Sequence, residues 1–76
     1  MIFLIEYNRS EGRIVTFREF KASQLRKAEE ARLELELALN RQGIEHEIVL
    51  LEAANKTELR RTHRRYWGDF DLLPTR

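Results

Sequence analysis

The segment Ile2-Phe3-Leu4-Ile5 is apolar at four successive positions. Side chains alternate between the two faces of a strand, so this segment carries large apolar groups on both faces. Two later segments repeat the pattern: Val15 and Phe17 oppose Ile14, and Val49 and Leu51 oppose Ile48 and Leu50. An antiparallel sheet with one wet face alternates apolar and polar residues more cleanly. A sheet built from these segments therefore needs cover on both sides. One helix covers one face, which leaves the other to the C-terminal segment or to a second subunit.

Punctuation along the chain sets the element order. Strands are expected over about 2–7, 13–18 and 44–53, and helices over about 23–42 and 56–67, with a tail at 68–76. Asn8-Arg9-Ser10-Glu11-Gly12 reads as a hairpin loop, with Gly12 suited to positive φ. Gly43 stops a long run of good helix formers. Asn55 caps the last helix, and Glu58 is placed to complete a capping box with it. The hairpin makes the first two strands antiparallel, and the helical crossover returns the third beside the first. The expected fold is α+β, in the order β-β-α-β-α. Its three-stranded antiparallel sheet, in spatial order 2-1-3, packs against the long helix, with a short C-terminal helix.

The chain has 76 residues, enough for a single domain over 1–76. A domain of that size buries only about 60% of its unfolded surface, so small domains commonly recruit a disulfide, a metal or a partner subunit. Cysteine is absent and the only histidines are His46 and His63, so no metal or other cofactor is expected. With a well-packed monomer as the alternative, self-association as a dimer is the favoured route. The long helix agrees with it. Leu25, Ala28, Ala31, Leu35, Ala38 and Leu39 form one core-facing arc, whereas Leu33 and Leu37 point nearly the opposite way. The apolar start stops at Glu6, with no basic leader or cleavage pattern, and no run is long enough to span a membrane. A cytoplasmic location is the resulting expectation.

Formal charge is close to balanced, at +1, but unevenly distributed. Residues 42–54 hold Glu45, Glu47 and Glu52 without a Lys or Arg, whereas 55–67 hold Lys56, Arg60, Arg61, Arg64 and Arg65 against Glu58 alone. On one continuous helix, Arg60 stacks on Arg64 and Arg61 on Arg65, while Leu59, His63 and Tyr66 face inward. Such an arc suits phosphate contacts on RNA or DNA, with Trp67 or Tyr66 stacking on a base. A solvated surface, or one ion-paired with Glu45, Glu47, Glu52, Asp69 or Asp71, suits it better.

Signals for catalysis are missing. His63 shares a face with Leu59 and Tyr66 and reads as a partly buried, locally hydrogen-bonded histidine. His46 is expected on a strand, facing as Ile44 and Ile48 do, without partners at metal-ligand spacing. The glycines are isolated, and no Walker-type, G-x-S-x-G or HExxH pattern occurs. No catalytic residue and no small-molecule substrate are assigned. The sequence thus points to a non-catalytic interaction module that self-associates, through Leu33 and Leu37 or through a sheet face. The alternative is a nucleic-acid-binding module using Arg60, Arg61, Arg64, Arg65 and Trp67. Towards the tail, Trp67, Phe70, Leu72 and Leu73 are expected to cover the second sheet face or the Leu33/Leu37 stripe.

Overall fold

The computed structural model describes residues 1–67, and the reading of the 68–76 tail lies outside them. Strands β1 (Ile2–Asn8) and β2 (Arg13–Phe20) form a hairpin, helix α1 (Leu25–Gln42) crosses over, and strand β3 (Glu47–Glu52) returns. A short helix α2 (Lys56–Thr62) follows, then a 3-10 turn over Arg64–Trp67. The sheet has the order β2-β1-β3, with β1 antiparallel to both neighbours. This is the α+β arrangement that the sequence implies.

Local chemistry fixes the turns. Asn8 Oδ1 accepts from the Ser10 and Glu11 backbone N–H groups at 3.1 and 3.2 Å, and the Gly12 N–H closes onto the Asn8 carbonyl at 2.8 Å. Gly12 has φ 67°, which disfavours any residue with a Cβ. At the far end of α1, Gly43 adopts a left-handed conformation, and Ile44 N–H reaches back to the Leu39 carbonyl at 2.9 Å. That bond satisfies a carbonyl left over by the helix end. On the hairpin, Glu6 pairs with Thr16 but Tyr7 with Ile14, so Val15 is an extra residue in β2 and stands 43% exposed. The bulge accounts for the imperfect alternation there.

The central strand is buried on both sides. Towards α1, Ile2 and Leu4 pack with Phe20 and Ala28, flanked by Ala31, Leu35, Ile48 and Leu50. Ala28 is fully covered, and its small side chain lets the helix lie close to the sheet. On the opposite face, Phe3, Ile5 and Tyr7 pack with Leu59 and Tyr66, flanked by Phe17, Val49, Leu51 and Trp67. The C-terminal segment of the same chain therefore supplies the second cover.

Several boundaries differ from the sequence reading. The expected strand over 44–53 begins only at Glu47, which leaves His46 before it; β2 runs on to Phe20, and a 3-10 turn over Ala22–Gln24 precedes α1. Leu25, expected in the core arc, is 51% exposed at the first turn of α1. The single helix expected over 56–67 is broken at His63, which has φ −130° and ψ 56°. Asn55 does cap α2, accepting from the Glu58 N–H at 2.9 Å. The second half of the expected capping box is lost because the Glu58 carboxylate turns to Arg61 instead.

Leu59 is fully buried beneath the sheet. Leu59→Ala should lower unfolding free energy by about 3 kcal/mol. Urea denaturation checks it: an unchanged midpoint would mean that α2 does not seal this face in solution.

Candidate functional site

The basic segment departs from a continuous helical arc. Thr62 Oγ1 donates to the Glu58 carbonyl at 2.9 Å and lies 2.9 Å from His63 Nδ1. Such side-chain bonds compete with helix continuation. Beyond the break, Tyr66 turns onto the sheet. Its ring meets Tyr7 edge-on at 5.2 Å, and its hydroxyl donates to Glu47 Oε2 at 2.7 Å. Arg65 pairs with the same Glu47 carboxylate and donates to the Tyr66 hydroxyl at 2.8 Å, while Tyr7 donates to the Arg65 carbonyl at 3.2 Å. Arg9 lies 3.9 Å from the other oxygen of Glu47. These contacts clasp the C-terminal segment to β3 and β1.

The four arginines consequently have different surroundings. Arg61 is held by Glu58 through an Nε bond of 3.1 Å, and Arg65 by Glu47. The Arg60 guanidinium lies 5.7 Å from the Trp67 ring centre. Arg64 is exposed and makes no ion pair among the described residues. The uniform basic face expected over Arg60, Arg61, Arg64 and Arg65 is thus divided by the helix break and partly neutralised by carboxylates. His63 is half-buried, with Thr62 as its hydrogen-bonding neighbour. Trp67 is half-buried too, edge-on to both Phe17 and Tyr66 at 6.2 and 6.4 Å.

Leu33 and Leu37 stand on the outer side of α1, 54% and 47% exposed. With Leu39, Ile44 and Ile48 they line a shallow groove of about 350 Å³ between α1 and the start of β3. Ile44 is 39% exposed, which extends the apolar patch beyond the end of the helix.

One polar constellation escapes sequence reasoning. Glu6 lies on the central strand and is only 4% exposed. Thr16 Oγ1 donates to its Oε1 at 2.7 Å, and His46 Nδ1 lies 2.6 Å from its Oε2. With the carboxylate ionised, only a protonated Nδ1 completes that bond. The detectable signal is that Glu6 follows Ile2 and Leu4 on the same face, where a charge needs partners. What the sequence does not supply is which residue answers it. Among the described residues no group of three or more His, Cys, Asp or Glu is placed to hold a metal ion. Among them, no helix is long and apolar enough to cross a membrane.

Comparison of the chain with protein-family models, with curated proteins and with solved structures finds no significant match in any of the three.

The clasp carries the clearest electrostatic signature. Burial works to raise the Glu47 carboxyl, but hydrogen bonds from Tyr66 and Arg65, together with the charges of Arg65 and Arg9, hold it below its ordinary value. Burial, and the bond to the Glu47 carboxylate, push the Tyr66 phenol up to about 12, against the opposing influence of Arg65. An unfolded tyrosine ionises near 10, so raising the pH favours the unfolded chain, which releases this proton first. The Tyr66 contribution should be fully present below about pH 10 and decline towards pH 12, by roughly 2 kcal/mol. Urea midpoints at stepped alkaline pH test this. Tyr66→Phe should show a flatter alkaline decline, and identical slopes would remove the Tyr66–Glu47 bond as its cause.

Proposed function

We propose that the protein is a small, non-catalytic, cytoplasmic interaction module that self-associates through the outer face of α1. The observation that carries this reading is the exposure of Leu33 and Leu37, 54% and 47%, on a helix whose opposite side is already committed to the sheet. Both faces of the sheet are covered within the chain, by α1 and by the C-terminal segment. Of the two routes open from sequence, this favours the helix stripe over a sheet face. An isologous contact requires a self-complementary patch. Antiparallel apposition of two α1 helices meets that requirement, because it sets Leu33 of one copy against Leu37 of the other. Ile44 and the adjoining groove would enlarge the patch at each end.

The nucleic-acid reading draws less support, since Arg61 and Arg65 already serve carboxylates and the helix break removes the continuous arginine face. Size-exclusion chromatography with light scattering tests the proposal. Wild-type protein should run as a dimer, and Leu33→Ala with Leu37→Ala should leave a folded chain that associates at least tenfold more weakly. That factor corresponds to about 1.4 kcal/mol or more of lost association energy. Full dimer from the double variant, or a wild-type monomer at high concentration, would overturn it.

A further inference from the structure

The face opposite the leucine stripe holds a second, chemically different groove. It has a volume of about 450 Å³, and its apolar lining comes from Ile14 and Phe17 of β2 together with Tyr66 and Trp67. Two cations, Arg13 and Lys56, complete it, and among the described residues no carboxylate lines it. This volume lies within the ordinary range of small-molecule pockets, where a few polar groups orient a ligand against apolar walls. The aromatic walls are fixed by packing. Phe17 contacts Phe3 at 5.7 Å and Trp67 at 6.2 Å, so the two rings are braced against the core.

From this lining we infer a binding site for a flat aromatic ring that carries an anion, the chemistry of a nucleoside phosphate. The ring lies against Phe17 and Trp67, where stacking on aromatic side chains tolerates any base. The anion is met by Lys56 and Arg13. Both cations are within reach of exchange. Lys56 Nζ is 3.9 Å from a Glu19 oxygen and 60% exposed, and it sits 5.3 Å from the Phe17 ring centre. Arg13, at the exposed start of β2, is bonded to Glu11 at 2.7 Å, and surface ion pairs of this kind are worth little. An incoming phosphate competes with these two carboxylates, so binding weakens with salt. The site is independent of Leu33 and Leu37, which lie on the far side of the sheet. It also differs from an arginine-helix interface, because its cations are the first residues of β2 and of α2.

Trp67 is the only tryptophan, so its fluorescence reports on the groove directly. The full chain is titrated with adenosine monophosphate, with adenosine, and with a hexamer of adenylate. Saturable quenching by the monophosphate is expected, about tenfold tighter than by adenosine. The combined Arg13→Gln and Lys56→Gln variant should lose about tenfold for the monophosphate and little for adenosine. Far-ultraviolet circular dichroism of this variant should be unchanged, and the single Lys56→Gln chain gives a second reading if it is not. A hexamer binding at least tenfold tighter than the monophosphate would identify single strands as the ligand source, and equal affinity would identify free nucleotide. Quenching that rises linearly without saturation, or equal affinity for adenosine and its monophosphate, would overturn the inference.

Discussion

Burial of β1 on both faces is the condition to which the rest of the molecule answers. Ile2, Phe3, Leu4 and Ile5 are each no more than 5% exposed, which a single helix on a three-stranded sheet does not achieve. The long helix, with Ala28 fully buried in the core, seals one side. The other is sealed by two short pieces, α2 and the turn over Arg64–Trp67, neither long enough to persist as an isolated helix. Their order comes from what they touch. Leu59 and Tyr66 contribute apolar area, and Glu47 draws Arg65 and the Tyr66 hydroxyl onto β3.

The Glu47 clasp also decides how the basic residues can be used. A carboxylate on the edge strand recruits one of the four arginines, and Glu58 recruits another. What a linear reading presents as a charge reservoir becomes partly a fastening. Among the described residues, by contrast, nothing fully covers the outer helix face. Leu33 and Leu37 stay 54% and 47% exposed, and that exposure is what supports the proposed self-association. The aromatic groove is a by-product of the same fastening, since Trp67 reaches Phe17 only because the chain turns after His63.

Much of the architecture was legible in advance because its determinants are local. Gly12 and Gly43 adopt the positive φ values their positions imply, Asn55 caps α2, and strand order follows from a hairpin and one crossover. Leu33 and Leu37 were recognisable as a second stripe from helical spacing alone. The failures are equally specific. Leu25 points towards the core side by angle, but an angle about the helix axis does not say how far the sheet extends. The break at His63 was hidden because every residue from Glu58 to Arg61 favours a continuing helix. It accompanies the Thr62 side-chain bonds and a Tyr66 bond to a carboxylate 19 positions away. The Glu6–His46 pair spans 40 positions, and periodicity carries no information across that distance.

Position in the sequence gives the double-sided strand one more consequence. Leu59 and Tyr66, which shield Phe3, Ile5 and Tyr7, are synthesised more than fifty residues after them. At ribosomal rates of about 5–20 residues per second, the hairpin waits several seconds for its second cover. Through that interval an apolar sheet face stands open on a nascent chain, and β1 also lacks β3 along one edge. Newly made copies therefore pass through a stage in which their stickiest surface is the future core. Shielding during synthesis, rather than the stability of the finished fold, is the step at which crowding by neighbouring nascent chains would matter most.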